Sequence, residues 1–119
     1  MIQLNLVVIK TSREEEQVRF YSTIGITFES HRHGNGPYHY AATLDGLTFE
    51  IYPLPKGTTE PDTTTRLGFT VENLNNTLQR LEEQGVETVQ APASTEWGYA
   101  AVVKDPDGRR IELVEKLIK

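Results

Sequence analysis

Along the chain the spacing of apolar residues switches between two periods, and the whole sequence of switches then runs a second time. Residues 4–10, "LNLVVIK", are β-branched and apolar on both faces, which predicts a strand. Residues 11–25, "TSREEEQVRFYSTIG", predict a helix. Ser12 and Glu15 have the spacing of a capping box, Glu14, Glu15 and Glu16 fall where the helix dipole favours anions, and Val18, Tyr21 and Ile24 form an apolar stripe before Gly25. Three strands follow: "ITFESHRH" (26–33), "YHYAATL" (38–44) and "LTFEIYP" (47–53). Asp45-Gly46 between two apolar runs is a strong hairpin signal.

The segment "PLPKGTTEPDTTT" (53–65) has three prolines and no apolar period, and it reads as a linker centred on residues 55–64. The pattern then restarts. "RLGFTV" (66–71) is a strand, and "ENLNNTLQRLEEQG" (72–85) is a helix with Leu74, Leu78 and Leu81 on one face and Gly85 at its end. "VETVQAP" (86–92), "GYAAVVK" (98–104) and "RRIELVEK" (109–116) complete it, the last two joined by an Asp105-Pro106-Asp107-Gly108 turn. Both halves, 1–54 and 65–119, read β-α-β-β-β, so the chain is expected to be one α+β domain built from a duplicated module.

The duplication carries an acid with it. Glu50 and Glu112 occupy corresponding places in the last strand of each half. Side chains alternate across a strand, so Phe49 and Ile51 share one face while Thr48, Glu50 and Tyr52 share the other. Likewise Ile111 and Leu113 oppose Arg110, Glu112 and Val114. With the apolar faces under the helices, both glutamates point away from them.

A tandem β-α-β-β-β chain of this length resembles the vicinal oxygen chelate superfamily of glyoxalases, bleomycin-resistance proteins and extradiol dioxygenases. The most specific match is "EWGYAAVVKDPDGRRIELVE" (96–115), similar to the family's carboxy-terminal Trp-Gly strand, turn and Glu-bearing strand. "REEEQVRFYSTIGITF" (13–28) resembles its first helix. The resemblance implies an open, cupped, eight-stranded mixed sheet, a homodimer, and in metal-using members four ligands from the first and last strands of each module. Carried over by position, those places hold Leu6, Glu50, Arg66 and Glu112.

Leucine cannot ligate a metal, and arginine stays protonated where the cation would sit. Two carboxylates can still hold a hard divalent ion, but a guanidinium opposes it. The expectation is therefore no cofactor and no metal, with Glu50 and Glu112 the donors of any divalent ion that did bind and the best candidates for catalysis. Arg66 is expected to take the cation's place in a Glu50–Arg66–Glu112 cluster. A structural charge cluster fits that pattern about as well as a ligand site.

His31, His33 and His39 lie close in "SHRHGNGPYHY", without metal-site spacing, and read as surface hairpin histidines, with His39 the candidate for pocket lining. Trp97, Tyr99 and Tyr52 are further lining candidates, since aromatic rings stack on flat ligands.

Composition adds exclusions. The 119 residues contain no cysteine, which removes disulfides and thiolate chemistry, and the net charge of −5 disfavours nucleic acid and leans towards a cationic ligand. No leader or membrane-length apolar run is visible, so the reading is cytoplasmic. Apolar content of 37% is modest, compatible with burial against a second copy. Three functions fit. The first is a metal-free protein, similar to bleomycin-resistance proteins, binding a small cationic or aromatic ligand. The second is a divergent metal-dependent lyase or dioxygenase, and the third is a non-catalytic structural or interaction domain.

Overall fold

The computed structural model describes residues 1–117 and divides into two compact units, residues 1–62 and the remainder from Thr63. Unit 1 contains β1 (Leu6–Thr11), α1 (Glu14–Thr23), β2 (Glu29–His31), β3 (His39–Leu44) and β4 (Leu47–Pro53). Its strands form one mixed sheet in the order β1-β4-β3-β2, with β1 parallel to β4 and the other neighbours antiparallel.

The β3–β4 hairpin sets the register of this sheet. Asp45 and Gly46 both have positive φ, 43° and 87°, the geometry of the two-residue turns that match strand twist. Leu44 therefore faces Leu47, and the pairing runs inward through Thr43–Thr48, Ala42–Phe49, Ala41–Glu50 and Tyr40–Ile51. One face receives Ile9, Ala42, Phe49 and Ile51, all buried. Against it packs α1, through Phe20 and Tyr21, whose rings meet edge to face at 4.8 Å, while Tyr21 meets Phe49 at 5.0 Å. Burying each such side chain stabilises the unit by about 1.5–3 kcal/mol.

The start of α1 departs from the expected capping box. The helix begins at Glu14 with Arg13 at the cap and no side-chain cap bond. Instead Thr11 Oγ1 accepts from the Arg13 N–H at 2.9 Å. The buried stripe is Gln17, Phe20 and Tyr21, rotated from the Val18-Tyr21-Ile24 line because the Phe20 ring fills the core beside Tyr21.

Unit 2 repeats the topology with β5 (Leu67–Val71), α2 (Leu74–Glu83), β6 (Thr88–Thr95), β7 (Gly98–Lys104) and β8 (Arg110–Glu115), in the order β5-β8-β7-β6. Here the helix signals hold. Asn73 caps α2 by accepting from the Asn76 N–H at 2.9 Å, and Leu74, Leu78 and Leu81 are its buried line. An anion serves the same terminus: Glu115 Oε2 accepts from the Leu74 N–H at 2.9 Å. Between β7 and β8, Asp105 Oδ1 accepts from the N–H groups of Asp107 and Arg109. Arg109 folds back over that turn, 1% exposed, with Nη1 3.1 Å from Asp105 Oδ2 and 3.2 Å from Asp107 Oδ2.

The fold is α+β as expected, its eight strands grouped as two mixed four-stranded sheets, neither closed on itself. Among the described residues no helix is long and apolar enough to cross a membrane.

Candidate functional site

The chemistry of unit 1 collects on the face of its sheet that α1 leaves uncovered. Hairpin register places Ala41 opposite Glu50 and, one step further, His39 beside Tyr52, while β1 contributes Val8 opposite Glu50 and Lys10 opposite Tyr52. His39 and Tyr52 stack at 4.2 Å between centroids and 6° between planes. His39 Nε2 lies 3.4 Å from Glu50 Oε2, with the imidazole 2% and the carboxylate 18% exposed. The remaining ring nitrogen, Nδ1, is buried and has no hydrogen-bond partner.

Two further imidazoles lie beside His39. His33 stacks on His39 at 5.3 Å and 26°, and His31 lies 5.9 Å from His39 and 6.4 Å from His33. His31 Nε2 is 3.5 Å from Glu29 Oε2. The three histidines thus form a triangular ring cluster in which His39 stacks on Tyr52, and His39 is a buried member of the Glu50 face. His33 is exposed, while His39, the histidine singled out for pocket lining, is buried. The cause is the hairpin register, which carries His39 back over the sheet.

Tyr40, one residue on, takes the opposite face, where its hydroxyl donates to Glu15 Oε1 of α1. That bond to a carboxylate, then burial and the charges of Glu15 and Glu14, raise the Tyr40 pKa above the usual tyrosine value. Tyr38 stays exposed, with the Arg32 guanidinium 5.0 Å over its ring.

The remaining candidates divide as follows. Leu6 is 48% exposed and lies on the Glu50 face, facing Thr48. In unit 2, Glu112 is half-buried on the face away from α2, opposite Val102 on one side and Gly68 on the other. A Cβ at Gly68 would touch Glu112 Oε1 at 3.8 Å, so the carboxylate lies over the glycine. Arg66 is exposed, immediately before β5, and Trp97 is 71% exposed in the β6–β7 turn. Tyr99 corrects the expectation of pocket lining: it lies on the helix side, where its hydroxyl donates to Asn75 Oδ1 of α2 at 2.9 Å. Alternation from Gly98 decides this, since Ala100 and Val102 take the Glu112 face.

Donor chemistry bears on the metal that the fold's metal-using members hold. On the unit 1 face, Leu6 and Val8 offer no donor beside Glu50, and in unit 2 Gly68 offers none beside Glu112. Among the described residues no group of three or more His, Cys, Asp or Glu is placed to hold a metal ion. The residues present do not fit the four-ligand set. What the unit 1 face offers is a flat stacking wall, a carboxylate, and a buried imidazole nitrogen with unused hydrogen-bonding capacity.

Solved structures place this architecture among known proteins. The chain is similar to TnmS3, an antibiotic binding protein from Streptomyces sp. CB03234, at 24% identity and a TM-score of 0.72 over 98% of both chains. It is similar to the oxidase ChaP-H2 at 16% identity and 0.73, over 98% of this chain and 94% of that one. A V. cholerae integron cassette protein matches at 20% identity and 0.71, over 98% and 97%. The family model described as Glyoxalase/Bleomycin resistance protein/Dioxygenase superfamily matches residues 3–113, and with nearly the whole chain inside that match the protein belongs to this superfamily.

Proposed function

We propose that the protein is a small-molecule-binding member of its superfamily, similar in role to bleomycin-resistance proteins, and that it takes a flat aromatic ligand without using a metal. The observation that carries this reading is the Tyr52–His39 stack beside Glu50, on a sheet face that no helix of its own unit covers. A ring surface flanked by a carboxylate binds a flat ligand through dispersion and orients it through hydrogen bonds. The antibiotic-binding relative supports a binding role at the level of the fold. Leu6 and Val8 supply apolar floor beside Glu50.

A homodimer accompanies this proposal. Ile2 and Leu4 are exposed ahead of β1, apolar side chains that a second copy would cover. Sedimentation velocity at several concentrations tests it.

The binding reading is tested by calorimetric titration with a panel of flat aromatic compounds, against wild type and Tyr52→Ala. Loss of a stacking partner should weaken a true ligand by roughly 0.5–1.5 kcal/mol beyond the lost contact area. A compound bound equally by both proteins, or no binding across the panel, would remove the Tyr52 face as the site.

A further inference from the structure

On the helix side of unit 2, a groove of about 580 Å³ runs between α2 and β6, the edge strand of its sheet. Asn75, Leu78 and Glu82 line it from the helix, spaced by three and four residues and so on one helical face. Val89, Ala91 and Pro92 line it from the strand. The register of β6 against β7 slips between Thr88 and Gln90 and again between Gln90 and Ala93. Such irregularities bend an edge strand and re-aim its side chains, and Pro92 has no N–H with which to extend the ladder. The groove is therefore a product of the β6 sequence. It lies on the opposite side of the unit 2 sheet from Glu112.

The chemistry of the groove points to a cation. Among the described residues Glu82 is the one charged side chain that lines it, exposed and paired with no Lys, Arg or His. Arg80, two positions earlier, is turned to the far side of the helix, since two residues make little more than half a turn. Glu87, in the turn before β6, is engaged by Lys104 at 3.5 Å. Helix stability does not account for Glu82 either. It stands with Glu83 in the last turn of α2, where the helix dipole disfavours an anion. A side chain that breaks a local rule without compensation inside the fold marks a functional position. Beside the carboxylate the walls are apolar, with Leu78 only 7% exposed. At the far end Asn75 Oδ1 accepts from the Tyr99 hydroxyl at 2.9 Å, which holds that amide in place. Seven residues of helix separate Asn75 from Glu82, a span of about 10 Å.

We propose that the α2–β6 groove is a second binding site, for an elongated primary amine. Its ammonium group pairs with Glu82, and its apolar chain lies along Leu78, Val89, Ala91 and Pro92 towards Asn75. The head gains a charge-assisted hydrogen bond and the chain buries apolar surface. The net charge of −5 adds a general attraction for cations. This site is separate from the Tyr52–His39 face and does not depend on the reading of that face.

The test is a proton–nitrogen NMR titration of the intact protein at neutral pH with hexylamine, 1-hexanol and hexanoate, three probes with one chain and different heads. Hexylamine should shift the side-chain amides of Asn75 and Gln79 and the backbone of β6. It should bind roughly two- to fivefold more tightly than hexanol, the factor an exposed ion pair supplies, with hexanoate the weakest. Glu82→Gln should bring the three probes to one affinity. Glu83→Gln, which removes the same charge one residue away, should keep most of the preference for the amine. Ala91→Trp, which places a ring in the groove, should abolish binding of all three. Glu82→Gln alters an exposed side chain and decides the outcome even where Ala91→Trp does not fold. No shift in the groove with hexylamine overturns the proposal, as does an amine preference that survives Glu82→Gln. Equal loss in Glu82→Gln and Glu83→Gln reduces the effect to overall charge and also overturns it. Shifts at His39 and Tyr52 with none in the groove place the amine on the other face, overturning this site and leaving the flat-ligand reading standing.

Discussion

His39 Nε2 and Glu50 Oε2 stand 3.4 Å apart although they lie eleven positions apart in sequence, and the imidazole is buried while the carboxylate is 18% exposed. Glu50 is therefore the polar neighbour of a buried ring whose other nitrogen has none. Glu50→Ala should destabilise the fold by about 1–3 kcal/mol, the cost of leaving a buried polar group unmade, measurable by urea denaturation at neutral pH. A loss within error of zero would show that the two side chains do not interact in solution.

Arg109 presents the structural use of charge in the same chain. Its guanidinium is 1% exposed and lies between two carboxylates of its own turn, so it fixes the β7–β8 connection. Arg109→Ala leaves Asp105 and Asp107 buried together, and the loss should be about 3–5 kcal/mol. Arg109→Lys should recover only part of it, because one ammonium does not reproduce the planar fork. Chemical denaturation of both variants checks the order.

Gly46 sets the register on which the His39–Tyr52 stack depends. With φ at 87° it sits in the left-handed region, and a Cβ there would also approach the Gln3 side-chain nitrogen at 3.0 Å. Gly46→Ala should cost roughly 1–2 kcal/mol from the backbone alone, the Gln3 tip being free to move aside. The cross-peaks between His39 and Tyr52 rings in NMR report whether the register survives.

Tyr40 should titrate later than an ordinary tyrosine, since its neutral hydroxyl donates to the Glu15 carboxylate. A folded-state pKa raised above the unfolded one gives stability that is fully present below the unfolded tyrosine value, about 10, and is lost as the pH rises through the folded value. Alkaline spectrophotometric titration should therefore lose its latest component in Tyr40→Phe, and Glu15→Gln should move that component down. The effect on stability is small because the pair is exposed.

The sequence disclosed the fold because the module is written twice. One amphipathic helix and three strands are ambiguous alone, but two copies with the same order, each with a helix ending at glycine, leave few topologies. The glutamates were also readable, since alternation sends Glu50 and Glu112 to the face opposite Ile51 and Ile111. His39 was readable in principle. The Asp45-Gly46 turn makes Leu44 face Leu47, and counting back from it reaches His39 beside Tyr52. His39 was the one histidine singled out for pocket lining, while the polar residues about the Gly-Asn-Gly-Pro turn read as an exposed hairpin tip. The α1 stripe was misread for another reason: it depends on how the Phe20 ring fills the core beside Tyr21, and such packing leaves no mark in a single chain's periodicity. The side Tyr99 takes was legible, since alternation along β7 puts Ala100 and Val102 on the Glu112 face and Tyr99 opposite.

The measurement that bears most directly on the central claim is thermal melting of the purified protein, with and without chelator, alongside its metal content and a flat aromatic ligand such as 4-nitrophenol. A ligand held at 100 times its dissociation constant stabilises the folded state by about 2.7 kcal/mol. The account predicts that such a ligand raises the melting temperature, that chelator leaves this rise unchanged, and that Tyr52→Ala diminishes it. A stoichiometric metal whose removal lowers the melting temperature and abolishes the ligand's effect would contradict it, and would return Glu50 and Glu112 to the role of metal ligands.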